Sequence, residues 1–420
     1  MKKIAKLSLV AAVAVAGFST ANAQPLEEAI KNVEVSGSVV YRYNDTNNDA
    51  KNAGVPVTNN KTNSNNNYKV ALNLSSKVNE DVKFNSRFLA ANADGGFANL
   101  NTQTDGDTNV DVELSHAYFG YTGLANTTVN VGKQGLTTPW TVAIDSDGQE
   151  QTGTGILALS TVGPVTLAAA YFNQTNLDTS GDFAGTLTAI KTIPGTSSVG
   201  SLDIATVGAI ANLDAVTLDA WYLNMDEMFD SYTVGAKSDL ELSGIKLGVD
   251  ARYASLSWED QVARNAGLVN PITGAVTEDN AMAKIVLTAK AGIVNGKLAY
   301  AWTDKDGGVT AIDNDANTTL LGWNLWANGK ADADYWQAVA GVDILDNLNL
   351  SANYGNIKWT PATNVEQEQE EIYAQLSYKM SKNLNTYVRY GTYTDEVTVA
   401  GTKFEINDDV RGRLQVEYTF

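Results

Sequence analysis

Apolar and polar positions alternate along most of this chain. In its last stretch Leu414, Val416, Tyr418 and Phe420 face one way, and Arg413, Gln415, Glu417 and Thr419 the other. A two-residue period predicts a β-strand with one apolar and one charged face. The rhythm starts after residue 32, where Val33, Val35, Gly37, Val39, Tyr41 and Tyr43 alternate with Glu34, Ser36, Ser38 and Arg42. It recurs at 68–78 and 82–91 around Asn79-Glu80-Asp81, and at 110–121 and 127–134 around 123–126. Further pairs are read at 154–161 with 165–173, 201–211 with 216–225, 231–241 with 246–255, 281–293 with 297–303, 334–344 with 348–355, and 370–380 with 384–393. Asn295-Gly296 is the strongest hairpin-turn signal among them. A polar stretch, 394–408, leads into the last strand.

About eighteen strands of roughly ten residues result, the length a tilted membrane strand needs. An ambiguous run at 185–193 leaves sixteen or twenty open. Tight turns alternate with long polar loops, among them the Asn-rich 44–67, 92–109, 136–153 and 305–332. A sandwich or solenoid has no reason to sort its loops so, whereas a membrane barrel keeps short turns in the periplasm and long loops outside. Tyr41, Tyr43, Tyr222, Tyr253, Tyr300, Trp302, Tyr354, Tyr378, Tyr390 and Tyr418 fall near strand ends, where interfacial girdles belong. Strand propensity alone is the plainer account of those aromatics. The predicted fold is all-β, a transmembrane antiparallel β-barrel with short periplasmic turns, long extracellular loops and one loop folded inward as a constriction.

Composition changes this picture only at the edges. At 420 residues the chain is long enough for two or three soluble domains or one large barrel. It has no Cys, which excludes disulfides and Cys-based metal or redox sites. Its formal charge of −19 makes it a poor nucleic-acid binder. The first residues are more decisive: Lys2, Lys3 and Lys6 precede an apolar run at 7–17, and Ala21-Asn22-Ala23 gives a small-x-small cleavage pattern. Residues 1–23 are expected to be a signal peptide and 24–420 the barrel domain, with 25–31 forming a short helical turn. No later run reaches the ~20 apolar residues of a membrane helix.

With apolar faces on lipid, the opposite faces line the lumen. That places Arg42, Lys69, Lys83 and Arg87 of the first three strands inside, with Arg389, Arg411 and Arg413 of the last two. Closure makes these strands neighbours, so the basic residues form one arc of wall; long cations that merely solvate a polar lumen are the alternative account. The loop 136–153 carries Asp145, Asp147 and Glu150. Folded inward, it would set these carboxylates across from the arc, and the resulting transverse field would orient dipolar solutes and tune ion selectivity. An ordinary exposed acidic loop is the alternative.

Asp145-Ser146-Asp147-Gly148 raises Ca²⁺, a cation that takes six to eight oxygen ligands, but lacks the rest of an EF-hand pattern. Catalysis finds no support. His116 is the single histidine, no Gly-x-Ser-x-Gly occurs, and Gly153-Thr154-Gly155 lacks the Lys of a phosphate loop.

The chain resembles the campylobacter-type major outer membrane porin family. The likeness runs from the leader through Pro25 to Gly37 and recurs at Ala93-Asp94-Gly95-Gly96, Gly132-Lys133-Gln134, Trp140-Thr141, Ala143-Ile144-Asp145, Gly153-Thr154-Gly155 and Thr166-Leu167-Ala168-Ala169. It covers roughly the first 170 residues and thins afterwards, apart from Phe420. The resemblance implies an 18-stranded, trimeric, cation-selective porin with Ca²⁺ near its constriction, and it makes Asp145 a calcium ligand. The family's Trp-Thr-Asp is here Trp140-Thr141-Val142, so further ligands are not carried over by motif; Asp178 and Asp182 are the candidates.

These readings predict an outer membrane channel for passive diffusion of ions and small hydrophilic solutes, set among lipid and lipopolysaccharide. The rivals are a surface adhesin or receptor on a plugged barrel, motivated by the loops 44–67 and 305–332, and a soluble β-sandwich array.

Overall fold

The computed structural model of the protein describes residues 33–52, 55–56, 62–92, 95–100, 111–180 and 199–420. The expected signal peptide, the turn at 25–31, the run at 185–193 and Asp182 lie outside them. Among the described residues, one sheet of nineteen strands includes the two-residue segment Ala98–Asn99; the remaining eighteen form a closed antiparallel barrel. They are β1 Val33–Asn47, β2 Thr62–Lys77, β3 Val82–Ala91, β4 Asp111–Leu124, β5 Thr127–Gly135, β6 Thr152–Val162, β7 Val165–Thr175, β8 Ile204–Leu213 and β9 Val216–Met225. The second half comprises β10 Phe229–Leu242, β11 Ile245–Trp258, β12 Asp279–Ala291, β13 Val294–Thr303, β14 Asp334–Leu345, β15 Leu348–Ala362, β16 Val365–Lys379, β17 Leu384–Val399 and β18 Thr402–Thr419. Each strand pairs with its sequence neighbours, and β18 closes on β1 with Ser38 opposite Thr419 and Asn47 opposite Val410. The backbone of Gly37 exchanges two hydrogen bonds with that of Phe420, at 2.9 and 3.1 Å.

The period-two pattern explains the two faces. On β10, Tyr232 and Val234 are 50% and 49% exposed, whereas the intervening Thr233 is fully buried. Large exposed apolar side chains repeat around the circumference, Val39, Leu167, Val207, Leu298, Trp336, Ile372 and Tyr390 among them. Lipid is the solvent for such a belt, because closed strands leave no backbone group unsatisfied in hydrocarbon. At one end of β12–β14, Tyr300 packs on Trp302 and Trp336 with ring centres 5.6 and 4.1 Å apart.

Two expectations about connections need correction. The turn between β12 and β13 is Gly292-Ile293, with Gly292 at φ 57°, and Asn295-Gly296 lies within β13 opposite Lys290 and Ala289. Not every connection opposite the short turns is a long loop, either. β15 and β16 meet across Thr363-Asn364, and β17 and β18 across Ala400-Gly401, whose φ values of 47° and 83° suit a type I′ turn. The stretches around 356–369 and 394–408 are strand extensions. Beyond the membrane both faces of a hairpin meet water, so apolar alternation disappears although the ladder continues. For the same reason the Asn-rich loop is shorter than expected, with β1 running to Asn47 and β2 starting at Thr62.

The two larger buried apolar clusters sit where chain segments fold against the inner wall. One gathers Trp140, Phe172, Leu177, Leu223, Met225, Phe229, Leu256, Trp258 and Ile312; the other Met282, Leu320, Leu325, Tyr335 and Ile357.

Candidate functional site

Among the described residues, two long connections pack deep against the inner wall. The first, 136–151 between β5 and β6, lies against the basic arc rather than across the lumen from it. Its Glu150 is almost fully buried and is the hub. Arg87 of β3 donates to both carboxylate oxygens, Nε at 3.0 and 2.9 Å and Nη2 at 2.7 Å, while Lys69 of β2 stands at 2.8 Å and the Ser115 hydroxyl donates at 2.5 Å. Burial alone would raise this carboxyl's pKa, but the hydrogen bonds and charges of Arg87 and Lys69 outweigh it and hold the group down at about 2. Lys69 also donates to the Gly148 carbonyl at 2.5 Å, and Arg42 of β1 to the Ser146 carbonyl at 2.8 Å.

The loop turns tightly at Asp145, whose Oδ1 accepts the Gln149 N–H at 2.8 Å while its carbonyl accepts that of Gly148 at 3.0 Å. Gly148 sits at φ 85° with the Phe97 ring 2.5 Å from where a Cβ would be, so both the angle and the space call for glycine. The Arg42 guanidinium lies over that ring, 4.1 Å from its centre. Asp147 is the one carboxylate of the trio turned outward, with a side chain 63% exposed, 3.5 Å from Arg42 and 3.9 Å from Arg413. Direct ion pairing displaces the expected gap between acidic loop and basic wall: opposite charges this close gain more from contact than from facing each other across water.

The second inward connection, 304–333 between β13 and β14, contains most of what was read as a surface loop. Thr310, Ala311, Asp313, Thr318 and Leu325 are fully buried. The wall holds it by backbone-directed contacts. Glu371 of β16 accepts the N–H groups of Trp323 and Asn324 at 2.9 and 2.7 Å, Lys284 of β12 donates to the Thr319 carbonyl at 2.8 Å, and Gln337 of β14 to that of Leu321 at 2.8 Å. Arg411 belongs here. It pairs with Asp409 at 2.7 Å and donates to Asn324 Oδ1 at 2.6 Å. The two loops also bind each other: the Trp140 carbonyl accepts the Ile312 N–H at 2.9 Å, Asp315 accepts the Ser146 N–H at 2.8 Å, and Gln151 donates to Asp313. The run Leu320-Leu321-Gly322-Trp323-Asn324-Leu325-Trp326 is too apolar for a solvated loop, and was the signal that could have revealed it.

The arc is therefore divided. Arg42, Lys69 and Arg87 hold the first loop, Arg411 the second, and Arg389 and Arg413 stand between them. Lys83 lies apart, 3.5 Å from Glu34. His116 of β4 lines a small polar recess with Asn73, Asn85, Arg87 and Tyr118. Across the barrel, Arg252 of β11 pairs with Asp219 of β9 at 2.7 Å, and Lys237 with Asp250 at 3.0 Å.

Of the two further candidate calcium ligands, Asp178 falls within the described residues and Asp182 outside them. Asp178 lies beside Gly200. No group of three or more His, Cys, Asp or Glu side chains that could hold a metal occurs among the described residues.

A closed membrane barrel with an apolar belt, a polar lumen and loops folded inward defines an outer-membrane porin, a channel for small solutes. The chain belongs to the Campylobacter major outer membrane protein family, whose profile matches residues 1–420. No curated protein matches it. Among solved structures it resembles Pseudomonas aeruginosa OccK8 (OprE), with a TM-score of 0.66 at 16% identity over 93% of this chain and 98% of that one. Pseudomonas aeruginosa OpdL gives 0.67 at 16% over 93% and 99%, and Acinetobacter baumannii OccAB3 0.65 at 14% over 92% and 99%. At such identities the likeness establishes the fold, and the family places the protein in the outer membrane.

Proposed function

We propose that the barrel is a passive, cation-preferring channel for ions and small hydrophilic solutes, assembled as a homotrimer and exported by means of residues 1–23. The observation that carries the selectivity is Asp147. The other hub of the first loop, Glu150, is consumed by Lys69 and Arg87, whereas Asp147 presents an exposed carboxylate beside Arg42 and Arg413. It offsets the wall's positive charge at the loop surface, in a chain whose net charge is −19. Fields inside a low-dielectric pore act strongly on permeating ions, so the sign of one exposed group weighs heavily.

Purified protein in planar bilayers is expected to give stepwise ohmic conductance, in triplets for a trimer, with a reversal potential in a salt gradient on the cation side. No steps at high protein load would sink the channel reading. Asp147→Asn is expected to move the reversal potential toward anions without loss of folded protein, since Asp147 is largely exposed. An unchanged potential would detach selectivity from this loop.

A further inference from the structure

Arg389 and Arg413 face each other directly across β17 and β18. Among the described residues both are hydrogen-bonded to side chains through Nε only: Arg389 donates to Gln375 Oε1 at 2.8 Å, and Arg413 to Asn44 Oδ1 at 2.7 Å. Arg413 reaches Asp147 only at 3.9 Å, too far for a hydrogen bond, and among the described residues Arg389 has no carboxylate within 4.0 Å. Their terminal amino groups thus remain available as neighbouring forks. Three aromatic rings frame Arg389: Trp323 and Tyr373 centre 5.0 Å from its guanidinium carbon and Tyr387 5.3 Å. Trp323 and Tyr373 are themselves set edge to face at 5.1 Å and 74°. The shelf is built rather than incidental. Glu371 holds the Trp323 N–H at 2.9 Å, and Gln415 Oε1 accepts both the Tyr387 hydroxyl at 3.1 Å and Arg42 Nε at 2.8 Å.

A guanidinium positioned by one edge, with its other edge open, matches a carboxylate in bidentate geometry, and aromatic walls favour a flat body attached to it. We propose that Arg389 and Arg413, with Trp323, Tyr373 and Tyr387, form a binding subsite on the channel wall for planar organic carboxylates. The subsite rests on the channel reading but not on its cation preference. A carboxylate held here is a solute in transit, retained by two forks and released along the lumen.

The test uses the full-length protein in planar bilayers, with benzoate as the probe and benzamide, its neutral isostere, and inorganic phosphate as controls. Benzoate is expected to produce concentration-dependent transient closures of the open channel, benzamide none, and phosphate, which lacks the flat body, far fewer. Arg389→Gln and, separately, Trp323→Leu are expected to weaken the benzoate block roughly tenfold, the change associated with losing about one charge-assisted contact. Both variants are to be checked for stepwise insertion in potassium chloride, whatever the step size, so that a misfolded barrel is recognised and the other variant decides. Equal effects of benzoate and benzamide, or a block undiminished in correctly conducting Arg389→Gln, would overturn the subsite while leaving the channel standing. Absence of any steps in potassium chloride would instead overturn the channel, and the subsite with it.

Discussion

Glu150→Ala is expected to free the first inward loop, raise single-channel conductance and lower the denaturant resistance of the barrel in detergent. The variant leaves Lys69 and Arg87, whose side chains are 5% and 11% exposed, without their shared counter-charge. Removing one partner from a buried ion-pair network costs about 3–5 kcal/mol. The pH dependence follows from the group's depressed pKa of about 2 against an ordinary value of 4.5. A carboxylate whose folded pKa lies below its unfolded one contributes stability that is complete above 4.5 and is lost as the pH falls toward 2. Wild-type conductance is thus expected to hold steady down to about pH 4 and to approach that of Glu150→Gln near pH 2. A variant with unchanged conductance and unfolding midpoint would show that the loop does not depend on this anchor.

The second large effect is expected at Trp140. This residue is fully buried, donates its indole N–H to Ser231 Oγ at 2.7 Å, and offers its carbonyl to the N–H groups of Ile312 and Asp313 at 2.9 and 3.2 Å. Trp140→Ala removes the side chain that fills the space between both loops and the β10 wall, a cavity costing about 3–5 kcal/mol. Trp140→Phe, which keeps most of the volume and loses only the indole hydrogen bond, is expected to cost about 1 kcal/mol. Thermal unfolding in detergent, with channel noise read in parallel, separates the two: the alanine variant fluctuates between conductance levels and the phenylalanine variant does not. Equal destabilisation of the two would mean that packing at this position is not what joins the loops.

How much of this was legible beforehand varied with the solvent each segment meets. Where one face meets lipid and the other water, as for Leu414, Val416 and Tyr418 against Arg413, Gln415 and Glu417, period-two patterning marked the strand directly. Where both faces meet water, as for Gln367, Glu368, Glu396 and Lys403 in the projecting hairpins, strand and polar loop read alike. The basic arc was legible because alternation assigns faces and closure joins β18 to β1. What the arginines touch was not. Whether a loop carboxylate stands across a lumen or against its wall depends on the path of the loop, and neither Asp145 nor Glu150 carries that path in its immediate neighbours. The second inward loop misled because its Gly, Ala, Asp and Thr residues look solvated. Partners remote in sequence, such as Glu371 and Lys284, satisfy its backbone instead.

The bonds between the two inward loops join positions far apart along the chain: 162 residues for Gln151 and Asp313, 169 for Ser146 and Asp315, and 179 for Thr318 and Pro139. Contacts of such separation form only after the entropy of closing the intervening chain has been met, and here the intervening chain is half a barrel. Strands β5 and β6 and strands β13 and β14 must already stand in register before their loops can meet. The permeation path therefore takes its shape from the eight strands β6 to β13 that carry the two loops to each other, and not from either loop by itself.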